Sequence, residues 1–277
     1  MTTWDLLCVH VPAANVELVA DYLWSRGVIA IEEIEHEHQI ELRTSVGVGH
    51  DELVQDLLIC FPGIRIDNAT VDRSIADTWR QHVGPIVVDE SLTIAPSWCD
   101  NSIVHASDDN DITVFIDPED VFGLGNHPTT VGTLIMARKY IAPHSEVFDY
   151  GTGSGVLAVA MARSHSCAVG AYDIAPTSKV VVERNAVRNG VNVAWVDIPT
   201  QIHDNAHRYD AVLANILAPV LIEVAPHITQ LVKKRGVVIL SGTRDDQWPK
   251  VVNEYHATTM IDTVSIEGWT TVVLRVN

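Results

Sequence analysis

The stretch that most constrains the fold is residues 146–155, EVFDYGTGSG, taken together with Asp173. An apolar strand runs into glycines at alternate positions, Gly151, Gly153 and Gly155, and an apolar helical run, VLAVAMA, follows at once. A second strand-like run, AVGAY, then delivers Asp173 at its end. Glycine lets a backbone turn sharply from strand to helix and approach a ligand closely, because no Cβ stands in the way. An acid at the end of the next strand accepts hydrogen bonds from ribose hydroxyls, so the whole unit predicts a nucleotide-bearing ligand lying across the carboxyl edge of a parallel sheet. The spacing is GxGxG, whereas dinucleotide binders place the third glycine one residue later. That difference points to S-adenosylmethionine rather than NAD.

From residue 146 onward strands and helices alternate. After the second strand comes a helix at about 177–189, a short strand at 192–197, the run YDAVLANIL, a helix around 220–232, the strand GVVILSG and a helix at 246–255. Two final β runs, at 259–268 and 269–277, read as a hairpin at the sheet edge. Alternation of this kind predicts a parallel, doubly wound sheet. Near-continuous apolar strands such as AVLAN and VVILS suit burial on both faces. Asn215 ends one of them, at the edge where such sheets bind ligands.

The first seventy residues have a different pattern. Strand candidates at 3–11, 28–34, 39–44 and 64–71 are interleaved with two helices. One places Val16, Val19, Ala20, Leu23 and Trp24 at helical spacing before Gly27; the other, at about 51–60, places Leu53, Val54, Leu57 and Leu58 on one face before Pro62-Gly63. The order βαββαβ predicts a ferredoxin-like α+β domain. The segment DRSIADTWRQHVG reads as a linker helix at about 72–83, which gives domains of 1–70 and 71–277. Beyond it, short β segments are expected at 86–98 and around 103–107 and 111–117, before a loop and a helix that starts at His127-Pro128. Val131, Leu134, Ile135 and Ile141 supply that helix with an apolar stripe. Its first amides, with Thr129 and Thr130, offer a cradle for a carboxylate.

Charge narrows the partner. The chain carries a net charge of −18, so long-range attraction to nucleic acid is absent and a basic protein is favoured. Residues 1–70 hold twelve acidic side chains against three basic ones. Half of the imbalance therefore sits in a quarter of the chain. Cys8, Cys60, Cys99 and Cys167 are scattered with no CxxC, which predicts neither zinc site nor disulfide framework and suits a reducing cytoplasm. No signal peptide or membrane span is expected. His36 and His38, or His203 and His207, match no recognised metal motif, and no metal is expected.

With these elements in order the chain closely resembles the ribosomal protein L11 methyltransferase family. The resemblance is carried by DTWRQHVGPIVVDESLTIAPSW, DPEDVFGLGNHPTT, DYGTGSGVLA, Asp173, ERNAVRNGV, ANIL and EGWTTVVLRV. It implies a seven-stranded Rossmann-like class I methyltransferase domain behind the ferredoxin-like one. It further implies S-adenosylmethionine as cofactor, contacted by Thr130, Gly151, Asp173 and Asn215, with Gly153 in the same turn. The implied activity is N-methylation of lysine and N-terminal amines of a large-subunit ribosomal protein, recognised by the acidic N-terminal domain, by a monomer in the cytoplasm. Two alternatives are a same-fold methyltransferase acting on another protein or a small amine, and a non-catalytic ribosome-assembly factor. The chain departs from the family pattern at Glu119, Val121, Leu124 and Ala175. Asn215 is expected to orient the acceptor nitrogen through its neutral carbonyl, with no obligatory general base, and His127 to shape the loop.

Overall fold

The computed structural model describes residues 3–26, 28, 31–36, 39–45, 50–72, 83–99, 111–119, 121, 123–197 and 204–277. The chain divides into two compact units, residues 1–82 and 83–277. Most of the expected linker helix at about 72–83, the β run at 103–107, His38 and His203 lie outside the described residues.

In the first unit β1 (Thr3–Val11), β2 (Ile31–Glu35), β3 (Ile40–Ser45) and β4 (Arg65–Asp72) form an antiparallel sheet in the order β2-β3-β1-β4. β4 continues to Asp72, past the expected boundary at residue 70. Side chains alternate across a strand. Accordingly Leu7, Val9 and Val11 face one core with Val19 and Leu23 of α1 (Val16–Ser25) and Leu57 of α2 (His50–Cys60).

The second unit begins with a small sheet of β5 (Ile86–Asp89), β6 (Leu92–Pro96) and β7 (Ile112–Ile116), in which β6 and β7 run parallel. The main sheet is mixed. It comprises β8 (Glu146–Tyr150), β9 (Ala168–Tyr172), β10 (Val193–Trp195), β11 (Tyr209–Asn215), β12 (Val232–Arg244), β13 (Thr258–Ile266) and β14 (Trp269–Val276) in the order β10-β9-β8-β11-β12-β14-β13. Strands β8 to β12 are parallel, and β14 is antiparallel to both its neighbours. The chain winds outward from β8 to β10 and then returns to β11 on the other side of β8. That reversal opens a crevice at the carboxyl ends of β8 and β11, the place where open α/β sheets bind ligands.

Both faces are covered, which explains the continuous apolar strands. Val147, Leu213 and Ile239 pack with α3 (Pro128–Tyr140) and α4 (Val156–His165), while Phe148, Val212, Ala214, Val238 and Leu240 pack with α6 (Ala218–Glu223), α7 (Ala225–Leu231) and α8 (Trp248–Val252). Fully burying a residue such as Phe148 stabilises the fold by about 1.5–3 kcal/mol.

Several expectations need correction. The helix around 220–232 is two short helices, because Pro226 opens α7 at its first turn and cannot continue α6. The helix at 246–255 shrinks to Trp248–Val252. The last two β runs do pair as a hairpin at the sheet edge, as expected, with β14 against β12 and β13 outermost. At α3 the expected Leu134 and Ile141 are buried, but Val131 and Ile135 are only half-buried, and Thr129, Thr130, Gly132, Thr133, Met136 and Ala137 join the covered face. Apolar periodicity missed the three threonines of that face. Among the described residues no helix is long and apolar enough to cross a membrane.

Candidate functional site

β8 leaves the core at Tyr150, and the chain turns through Gly151, Gly153 and Gly155 at φ values of 76°, 54° and 83°. Gly151 is doubly constrained: its φ is left-handed, and a Cβ would run into the side chain of Ile216, just beyond β11. The Gly151 and Thr152 N–H groups donate to the Tyr172 carbonyl at 2.8 and 3.0 Å. Asp149 braces the turn from beneath. Its Oδ2 accepts from the Thr152 hydroxyl at 2.7 Å and from the Ala158 N–H at 3.1 Å. Burial pushes the Asp149 carboxyl up to about 7, and the nearby charge of Asp173 adds to the rise. Among the described residues its Oδ1 has no hydrogen-bond partner.

Asp173 follows β9. Its Oδ2 accepts from the Gly153 N–H at 2.8 Å and its Oδ1 from the Ala175 N–H at 2.9 Å. Each carboxylate oxygen has a further lone pair, so both can still accept from vicinal hydroxyls. Ile174, next in the chain, is 88% exposed and sets an apolar surface beside that carboxylate.

Across the crevice Asn215 ends β11, and its Nδ2 donates to the Thr130 hydroxyl at 3.3 Å. Thr130 is buried on the first turn of α3. With the amide nitrogen turned to Thr130, the Asn215 carbonyl is the group able to accept a proton donor. His127 caps α3: its Nδ1 accepts from the Thr129 N–H at 3.3 Å and lies 2.7 Å from the Thr129 hydroxyl. The ring stands edge-on to Trp269 at 5.0 Å, and burial lowers its pKa, so the imidazole is neutral near pH 7. The Thr130 N–H donates to the His127 carbonyl at 2.9 Å. The carboxylate cradle expected at this helix start is therefore filled by the helix's own cap.

The structure thus brings Gly153 to Asp173 and Thr130 to Asn215, while Gly151 meets Ile216 between them. Among the described residues there is no cluster able to hold a metal ion, and His36 is engaged by Glu41 at 2.9 Å. All four cysteines are free thiols. Three contributors escaped the sequence reading: Asp149, Asn185 and Asn189. A lone acid inside the apolar run EVFDY, and two amides four apart on one helix, were the available signals.

A profile of the family described as ribosomal protein L11 methyltransferase (PrmA) matches residues 64–277. A ribosomal protein L11 methyltransferase of Geobacter sulfurreducens is 32% identical over 299 aligned residues, spanning 98% of each chain. One of Bacillus subtilis is 28% identical across 82% of this chain and 74% of its own. Among solved structures, a ribosomal protein L11 methylase of Lactobacillus delbrueckii subsp. bulgaricus superposes with a TM-score of 0.63 at 27% identity, covering 70% of this chain and all of that one. The chain belongs to the ribosomal protein L11 methyltransferase family. Its α/β unit with a mixed sheet is the methyltransferase-like fold.

Departures from the family's loop pattern have visible consequences. Glu119, where the family reads glycine, adopts φ 48°, a left-handed value that glycine takes without strain. Its N–H donates to Asp117 Oδ1 at 3.1 Å and its carboxylate accepts from Arg184 at 2.7 Å. Leu124 is buried. A Cβ on Gly123 would lie 2.9 Å from Ser154 Oγ, so this loop packs directly on the glycine turn.

Proposed function

We propose that this protein is an S-adenosylmethionine-dependent N-methyltransferase acting on lysine and N-terminal amines of ribosomal protein L11. The observation that carries the reading is the geometry at one sheet edge, where Asp173 is fixed on Gly153 and Asn215 faces them from β11, in a chain of this family. The residues fit the cofactor. The positive-φ glycines make the tight strand-to-helix turn and let it pack on Ile216, where a Cβ at Gly151 would clash, Asp173 has lone pairs for ribose hydroxyls, and Ile174 offers an apolar face to a base.

S-adenosylmethionine, when bound, supplies an already activated methyl group. What the chain must add is position. In this reading Gly151, Gly153 and Asp173 hold the cofactor, Thr130 aims Asn215, and the Asn215 carbonyl aligns the acceptor nitrogen. A lysine amine has a pKa of about 10.4, so only about a tenth of a per cent is neutral near pH 7.4. A carboxylate beside it would raise that pKa further. A neutral carbonyl orients the amine without doing so, and no general base is required.

The first unit is read as a ferredoxin-like recognition domain for a basic ribosomal protein, in keeping with its acidic balance over residues 1–70. The second is read as a seven-stranded class I methyltransferase domain, in a monomer that works in the cytoplasm without direct nucleic-acid contact. Incubation with methyl-labelled cofactor and unmethylated ribosomal proteins tests the proposal. Label on the N-terminal and lysine amines of L11 supports it. Cofactor binding by calorimetry with no label on L11 turns the reading towards a same-fold enzyme of another protein or small amine, which Glu119 and Leu124 in the loop favour. Absence of cofactor binding leaves the assembly-factor reading.

A further inference from the structure

We infer that Asn185 is a positioning residue that ties the loop at 117–126 to the glycine turn, so that two walls of the site move as one. The inference rests on the cofactor reading of that turn. Helix α5 (Pro176–Arg188) begins just after Asp173. Asn185 lies on it and Asn189 caps its end, four residues apart and so on one face. Both are buried, at 0% and 8% exposure.

Each asparagine grips one residue by both backbone groups. The Phe115 N–H donates to Asn189 Oδ1 at 2.8 Å, and Asn189 Nδ2 donates back to the Phe115 carbonyl at 2.7 Å. The Asp117 N–H donates to Asn185 Oδ1 at 3.0 Å, and Asn185 Nδ2 donates back to the Asp117 carbonyl at 2.8 Å. Residues two apart on an extended chain present their N–H and C=O groups to the same side. β7 pairs with β6 along one edge, and the two amides stand along the other in place of a neighbouring strand.

The two asparagines differ in their other bonds: Asn185 Oδ1 also accepts from Arg188 at 2.7 Å, and the second Nδ2 bonds go to different places. Asn185 Nδ2 also donates to the Ser154 carbonyl at 2.9 Å, in the middle of the glycine turn. The corresponding donor of Asn189 goes to the Asn185 carbonyl of its own helix, at 2.8 Å. One side-chain amide therefore satisfies the loop and the turn together. The same loop is held further along by the Ser154 hydroxyl, which donates to the Gly123 carbonyl, and on its outside by the Arg184–Glu119 ion pair at 2.7 Å. A buried backbone carbonyl left without a donor relaxes by moving, and Ser154 is where that movement would reach the cofactor.

Asn185→Ala and Asn189→Ala, compared in the full chain, test this. Each removes one two-bond grip, so both should melt a few degrees lower. Asn185→Ala alone should speed amide hydrogen exchange in the glycine turn of the cofactor-free protein. It should also weaken S-adenosylmethionine binding by about 10-fold or more, with Asn189→Ala staying within about 3-fold. Equal affinity losses in the two variants, or glycine-turn exchange untouched by Asn185→Ala, overturn the inference. Should Asn185→Ala not fold, the exposed Arg184→Ala carries the test. Cofactor release about 2-fold faster at low salt, with the difference gone in concentrated salt, supports docking of the loop on α5; release unchanged at both overturns it. A wild-type chain that binds no S-adenosylmethionine refutes the cofactor reading instead, and the exchange comparison still decides the coupling.

Discussion

On the β8–β9 flank of the crevice the glycine amides are bonded within the protein, Gly151 to Tyr172, Gly153 to Asp173 and Gly155 to Thr152, and the Asp173 carboxylate is fixed by bonds of 2.8 and 2.9 Å. On the β11 flank the corresponding group is a side chain, and Asn215 is aimed by a bond of 3.3 Å from its amide to Thr130. A backbone turn locked from several sides suits a ligand that is the same in every turnover. A side-chain amide on one long bond suits an acceptor that must arrive and leave. The difference predicts that damage to the first flank is read in binding and damage to the second in rate.

The largest effect should come from Gly151→Val, which forces a Cβ into Ile216 at a left-handed φ. Calorimetry should show cofactor affinity lower by at least about 100-fold, with a fall in melting temperature of several degrees. Near-normal binding would remove the rigid flank from the comparison. Asp173→Ala should weaken cofactor binding by roughly 10- to 100-fold, since charge-assisted hydrogen bonds to hydroxyls are lost. Asn215→Ala should cut turnover by roughly 10- to 100-fold while the cofactor Kd stays within about 3-fold. A loss confined to Kd would merge the two flanks into one binding surface.

The smallest effect concerns Asp149 and is one of pH. Its carboxyl rises from 3.8 to about 7 on burial. Between those values the folded protein holds a proton that the unfolded chain releases, so this group's contribution to stability falls as pH rises and levels off above about 7. Asn at this position can still accept from Thr152 and Ala158 but does not titrate. Asp149→Asn should therefore gain on the wild type by a few degrees of melting temperature between pH 5 and pH 8. A constant difference across that range would place the proton elsewhere.

The rigid flank was legible in the sequence because its determinants are local. Three alternate glycines, an apolar strand on either side and an acid after the second strand lie close together in the chain and obey backbone rules. The other flank was legible only in part. Asn215 could be placed at a strand end, but its pairing with Thr130 spans 85 residues, and no local pattern encodes such a contact. The face of α3 was read only in part because Thr129 and Thr133 are buried through polar bonds, the Thr129 hydroxyl against His127 and the Thr133 hydroxyl donating to the Thr129 carbonyl, not through hydrophobicity. Asn185 and Asn189 stood in the sequence only as part of ERNAVRNGV, yet they serve as the missing neighbour of a strand. Polar residues that are buried by satisfying the backbone are invisible to periodicity.

The place of β14 between β12 and β13 has a consequence in time. Protein chains emerge amino end first, at about 5–20 residues per second, and β13 precedes β14. Newly made β13 cannot take its final place, because its neighbour in the sheet does not yet exist. Until β14 arrives, the flank of β12 stays open, with Val238, Leu240 and their neighbours short of Val272 and Leu274. The β11 side of the crevice waits with it, because His127, which caps α3, stands edge-on to Trp269 at the start of β14.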